Sequence, residues 1–236
     1  MIERLSLPDV HALACDCLMR AGAPGPVAHA VAAEIAAAEA AGERRHGMAA
    51  LLRDIRLMRY GRIDAQASAA LSRPRPGLVR CDAHHGFAAS ALAGALEPLA
   101  DGARRQGIAL LRLERASDPG AMIRTTSGLA AQGLAALAFG SDGPGRVARP
   151  GGAAPAIVRH PPRAALALLL PPDGDAQPCD DPLDGPVGHR VWIIAVDLEA
   201  SGDPLGAAGL WDSVPAPPPA QEIALPSELL EQIVTA

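Results

Sequence analysis

Two side chains stand where chemistry could be done, and each sits at a break between regular elements. His46 lies in residues 38–64, AEAAGERRHGMAALLRDIRLMRYGRID, where Gly42 and Gly47 punctuate a charged turn between two helical segments. An imidazole at such a junction can be reached by a ligand and can trade a proton near neutral pH. A solvated junction histidine is the plain alternative. Asp118 lies in the loop of residues 114–120, between an apolar strand and the helix after it. A carboxylate there is held in its charged form by the free amides and local field of a helix start. It therefore donates protons poorly at pH 7, and an ordinary N-cap explains it as well as an acid/base role does.

Other reactive types are excluded or dispersed. All 21 basic residues are arginine, so no Schiff-base lysine or phosphate-loop lysine exists in this chain. Cys15 and Cys17 are not at redox or zinc spacing, and with Cys81 and Cys179 they read as free thiols in a reducing compartment. His84 and His85 are adjacent and cannot share one helical face, so that pair reads as a loop and no metal site is expected.

The elements that must position these residues follow from pattern. Residues 6–20 read as a helix, with Ser6 and Asp9 at capping-box spacing and Val10, Leu13, Cys17 and Leu18 on one face. Pro26 opens a second helix with Val27, Val31, Ile35 and Ala38 together. A third, residues 48–60, buries Leu51, Leu52, Ile55 and Met58 and shows Arg53, Arg56 and Arg59 to solvent. Residues 73–76 read as a proline-broken loop, 77–82 as a strand, and 87–106 as a helix that Pro98 should kink or end. Residues 108–113, 119–132 and 134–139 give a β-α-β pattern with apolar strands, expected to be parallel, with a right-handed connection.

The expected architecture is mixed α/β. An N-terminal helical layer (1–72) precedes an α/β core (73–170) and a Pro/Gly/Asp-rich loop (171–188). A C-terminal strand and helix (189–236) complete the core, and strands are expected near residues 78, 108, 134, 157, 165 and 192. The chain is 49% hydrophobic and 20% charged with a net charge of −5, which suits a cytoplasmic protein. No basic, aromatic-interleaved stripe suggests nucleic acid, and no apolar run is long enough for a bilayer.

Several stretches resemble the malate/L-lactate dehydrogenase family, a non-Rossmann group that includes ureidoglycolate, sulfolactate and cyclic imino-acid enzymes. Ala38-Glu39, Gly42, His46-Gly47 and Gly61-Arg62-Ile63-Asp64 keep the frame of its N-terminal signature. Gly120-Ala121, Gly133, Ser141 and Pro150-Gly151-Gly152 keep the frame of its β-α-β signature, and Leu225-Pro226 precedes the closing helix as in the family. Arg45, Ala50, Asp54, Asp118, His160 and Val187 depart from the family's pattern, and residues 171–188 replace a long cofactor-holding region.

The resemblance implies the family's fold with much of the cofactor region deleted, a homodimer, and NAD or NADP as cofactor. It also implies hydride transfer on a small 2-hydroxy, 2-oxo or 2-imino acid. His46 then contacts substrate or cofactor, Asp118 occupies the place of the general acid/base, and Ser141 and His160 fall at cofactor contacts. The alternative is an inactive relative kept as a binding or assembly partner, and a partner chain could carry the missing segment.

Overall fold

The computed structural model describes residues 2–117, 122–140, 145–148, 156–158, 189–197 and 220–236. Chain order begins with strand β1 (Ile2–Ser6), helix α1 (Leu7–Arg20), helix α2 (Gly25–Ala40), a 3-10 turn (Arg44–His46) and helix α3 (Met48–Arg59). A hairpin of β2 (Ala70–Arg75) and β3 (Leu78–Asp82) leads to α4 (Ala88–Gln106), β4 (Ile108–Ala116), α5 (Ile123–Ala131) and β5 (Ala135–Gly140). Strands β6 (Gly145–Ala148), β7 (Ala156–Val158), β8 (His189–Val196) and β9 (Glu222–Pro226) follow, with α6 (Ser227–Thr235) last.

The mixed α/β architecture is as the sequence indicates. Helix α1 opens on a complete capping box: the Ser6 hydroxyl accepts from the Asp9 amide, and the Asp9 carboxylate accepts from the Ser6 amide. Helices α1, α2 and α3 pack on one another through Val10, Leu18, Val31, Ile35, Leu51 and Ile55. The C-terminal residues Ile223, Leu225 and Ile233 join the same core. Strand β9 pairs antiparallel with β1, so the two ends of the described chain are zipped together at the helical layer.

Among the described residues, seven strands form the main sheet in the order β2-β3-β4-β8-β5-β6-β7. Strands β3 and β4 are parallel neighbours, with Asp82 opposite Glu114. The two apolar strands around α5 run parallel, as expected, but are not direct neighbours. Strand β8 lies between β4 and β5 and is antiparallel to both, with Ile193 opposite Leu111 on one side and Ala138 on the other. The interior strands are apolar because α4 and α5 cover one face, where Leu111, Leu113, Leu129, Ile193 and Leu99 are buried. The other face carries polar groups: Arg112 is ion-paired to Glu114 and lies over the Trp192 ring at 5.3 Å.

Two further expectations are corrected. Residues 73–76 are mostly strand, not loop: Pro74 sits on the edge strand β2, where the register shifts between Ser72 and Arg75. An edge strand with a bulge has no ladder bond for proline to break. Pro98 does not end α4, because Leu99, Ala100 and Ala103 beyond it are fully buried and hold that half of the helix to the sheet. The strand expected near residue 165 and the loop 171–188 lie outside the described residues.

Candidate functional site

His46 sits in the 3-10 turn between α2 and α3, as its glycine neighbours indicate. The turn is built on a residue that sequence reasoning passed over except as part of a frame. Glu39, in the last turn of α2, is 4% exposed, and its Oε1 accepts from the Met48 amide at 2.7 Å. It thereby caps α3 from another helix, replacing the missing side-chain cap at Gly47. A Cβ at Gly47 would lie 2.1 Å from Glu39 Oε1, so only glycine lets the carboxylate reach that amide. Met48, the first residue of α3, is itself fully buried and anchors the turn from below. His46 is half-buried, while Arg44 and Arg45 beside it are exposed.

A second cluster lies at the carboxyl ends of the parallel strands β3 and β4, where three loops interlock. The His85 amide donates to the Arg115 carbonyl at 2.7 Å, and the Ser117 amide donates to the Gly86 carbonyl at 2.9 Å. The Asp64 amide, just past α3, donates to the His85 carbonyl at 3.0 Å. Buried Ser117 also accepts from the Ala88 amide at the start of α4, at 3.4 Å. Gly86 is required where the loops cross, since a Cβ there would meet Ala67 Cβ and the Ala83 carbonyl oxygen, both at 2.9 Å.

This cluster carries both strain and charge. His84, His85 and Arg115 are non-glycine residues in left-handed conformations, with φ of 51°, 65° and 50°. Such conformations are uncommon for these side chains and gather at ligand sites more than elsewhere. The Arg115 guanidinium forks onto Asp82, with Nε 2.9 Å from Oδ1. That hydrogen bond holds the Asp82 carboxyl below the usual carboxylate range against the opposing effect of burial, with a lesser contribution from the His84 amide. His84 Nε2 lies 3.6 Å from Asp82 Oδ2, and the ring side chain is 48% exposed. An imidazole, a carboxylate and a guanidinium thus meet at the end of a parallel strand pair. The adjacent histidines were read from sequence as a loop, which they are. The signal that could have singled out His84 is its spacing of two from Asp82 at a strand end.

Of the site residues expected from sequence, His46 is among the described residues. His46 precedes α3 and the interlocked loops follow it; at 1.5 Å per residue the twelve residues of α3 put about 18 Å between its ends. Asp118, Ser141 and His160 lie outside the described residues. Cys15, Cys17 and Cys81 are buried free thiols, and burial followed by the neighbouring Asp82 pushes Cys81 up to about 11. Among the described residues no three His, Cys, Asp or Glu side chains converge to hold a metal, and no helix is long and apolar enough to cross a membrane.

Comparison with known proteins agrees with this layout. The fold is similar to that of a dehydrogenase from Sinorhizobium meliloti, with a TM-score of 0.77 and 16% identity over 100% of this chain and 99% of that one. It is also similar to delta1-piperideine-2-carboxylate reductase from Pseudomonas syringae pvar. tomato, with a TM-score of 0.74 and 19% identity over 98% of each chain. In sequence, 158 residues are 35% identical to Delta(1)-pyrroline-2-carboxylate reductase of Ancylobacter novellus, over 67% of this chain and 46% of that protein. The chain thus spans about half the length of the curated relatives it matches. The family profile described as Malate/L-lactate dehydrogenase matches residues 5–167, a stretch that holds both the Glu39–His46 turn and the interlocked loops. The chain belongs to the malate/L-lactate dehydrogenase family.

Proposed function

We propose that this protein is an NAD(P)-dependent oxidoreductase that moves a hydride to or from a small 2-imino, 2-oxo or 2-hydroxy acid. The observation that carries the reading is the family match across residues 5–167. It is narrowed toward cyclic imino acids by the relative named Delta(1)-pyrroline-2-carboxylate reductase. The comparisons give no support to reading the chain as an inactive relative.

The chemistry of the described residues fits a phosphate-bearing cofactor at the first turn. Arg44 and Arg45 are exposed residues of the turn that leads into His46, and guanidinium forks match phosphate oxygens. Arg44, Arg45 and His46, with Ser141 and His160, are the residues proposed to hold the dinucleotide. When bound it supplies the hydride. The protein's own part is to bind the acid, exclude competing water and manage the proton that accompanies the hydride. Asp118, as a carboxylate, is suited to orienting a substrate amine or imine and not to giving up a proton at neutral pH. A homodimer is proposed as the assembly.

The test is steady-state oxidation of NADH and NADPH in the presence of Delta(1)-pyrroline-2-carboxylate and a panel of 2-oxo acids. Turnover of at least one of these acids that is lost in Arg44→Ala/Arg45→Ala through a raised cofactor KM supports the reading. Cofactor binding without turnover of any 2-imino or 2-oxo acid would contradict it.

A further inference from the structure

Reduction of a C=N or C=O bond needs a proton as well as a hydride, and the donor works best when its charge changes near the operating pH. A loop aspartate at a helix start does not meet that requirement. We propose that His84, oriented by Asp82 and backed by Arg115, is the catalytic acid/base of this chain, an assignment that rests on the oxidoreductase reading above.

Four features of the His84 environment support the role. First, His84 stands just past the carboxyl end of β3, the parallel neighbour of β4. Its loop is stitched to the end of β4 by the His85–Arg115 and Ser117–Gly86 hydrogen bonds, so its backbone is fixed at that end of the sheet. Second, the ring is half-exposed and its Nε2 faces Asp82 at 3.6 Å, which leaves Nδ1 to face a substrate. A carboxylate against one ring nitrogen steadies the orientation of the ring. Third, Arg115 already occupies much of the Asp82 carboxylate, so Asp82 orients the ring without trapping the proton. Fourth, His84 holds a left-handed φ of 51°, a conformation uncommon for non-glycine residues that gathers at ligand sites.

The step balances simply. The Nδ1–H bond of the imidazolium breaks and an N–H bond forms on the imine nitrogen of the substrate. Hydride from the reduced nicotinamide adds to C2, the nicotinamide is oxidised, and the neutral imidazole is re-protonated from solvent. The charged group facing His84 is Asp82 at the end of the preceding strand, itself ion-paired to Arg115 at the end of β4.

Asparagine tolerates the left-handed region, so His84→Asn removes the imidazole and keeps the backbone. With Delta(1)-pyrroline-2-carboxylate and NADPH, His84→Asn should lose about 10²–10⁴-fold in kcat with little change in KM. It should also lose the fall in rate that the unaltered protein shows on the basic side of its pH profile. Asp82→Asn should keep measurable turnover with a lower kcat and little change in KM, since the ring has lost the carboxylate that orients it. In parallel, the imidazole signals of the full-length protein are followed by NMR as pyrrole-2-carboxylate, a planar acid that cannot be reduced, is added. The signals absent from His84→Asn should shift on binding. If the analogue binds and turnover is normal but His84 neither shifts nor matters for the pH profile, the His84 assignment is overturned and the oxidoreductase reading stands. If the analogue does not bind and no acid is turned over, both are overturned.

Discussion

Glu39 and Gly47 act as one unit, and removing either member should show it. Glu39→Ala leaves the Met48 amide buried without its acceptor, which should cost about 1–3 kcal/mol in urea unfolding. Gly47→Ala drives a methyl into Glu39 Oε1. Its cost should shrink when Glu39→Ala has made room, so the double variant should be less unstable than the two single changes added together. Additivity within error would contradict the coupling. The ion pair at the other cluster has a pH signature. Arg115 holds Asp82 below its unfolded value of about 3.9, so its contribution is present above that value and is lost as pH falls through the lower folded one. The stability gap between the unaltered protein and Asp82→Asn, measured by denaturant, should therefore be present at pH 7 and close toward pH 3. A gap that widened on acidification would contradict the assigned sign.

At the scale of elements, residues whose surroundings are local were legible and those set by distant partners were not. The capping box of α1, the faces of α1 and α2, and His46 between two helices follow from spacing within a few residues. In α3 the expected Leu51, Leu52 and Ile55 are buried, but Leu57 is the deeper residue and Met58 only half-buried. The insertion of β8 between β4 and β5 could not be read, since apolar runs say that a strand is covered and not which strand lies beside it. Strand β2 was hidden by Pro74, and β1 by its exposed, charged sequence. Glu39 was hidden because its partner is nine residues away across a turn, beyond any local capping pattern. The central place of β8 carries its own expectation. Ile193 is fully buried beneath α4 and α5, so Ile193→Ala should cost about 2–5 kcal/mol by urea denaturation, against well under 1 kcal/mol for a change at exposed Glu3.

The described residues form two cores, one of helices closed by the β1–β9 pair and α6, and one of sheet covered by α4 and α5. They meet where β3 leads into α4, with Phe87 packed into the first and Ala88 into the second. The interlocked loops lie at that seam, so the proposed chemistry draws on both. The proposed homodimer is checked by light scattering at tens of micromolar: a mass near twice the 24.1 kDa chain agrees, and a monomer mass contradicts it. The central claim is hydride transfer to a small acid, and isotope transfer tests it most directly. The protein is given NADPH carrying deuterium at the transferable position, with Delta(1)-pyrroline-2-carboxylate, and the product is examined by mass spectrometry. The account predicts proline carrying one deuterium at C2, formed in step with cofactor oxidation. Cofactor oxidation with no deuterium in the product, or neither deuterated proline from this imine nor a deuterated 2-hydroxy acid from any 2-oxo acid tried, would contradict it.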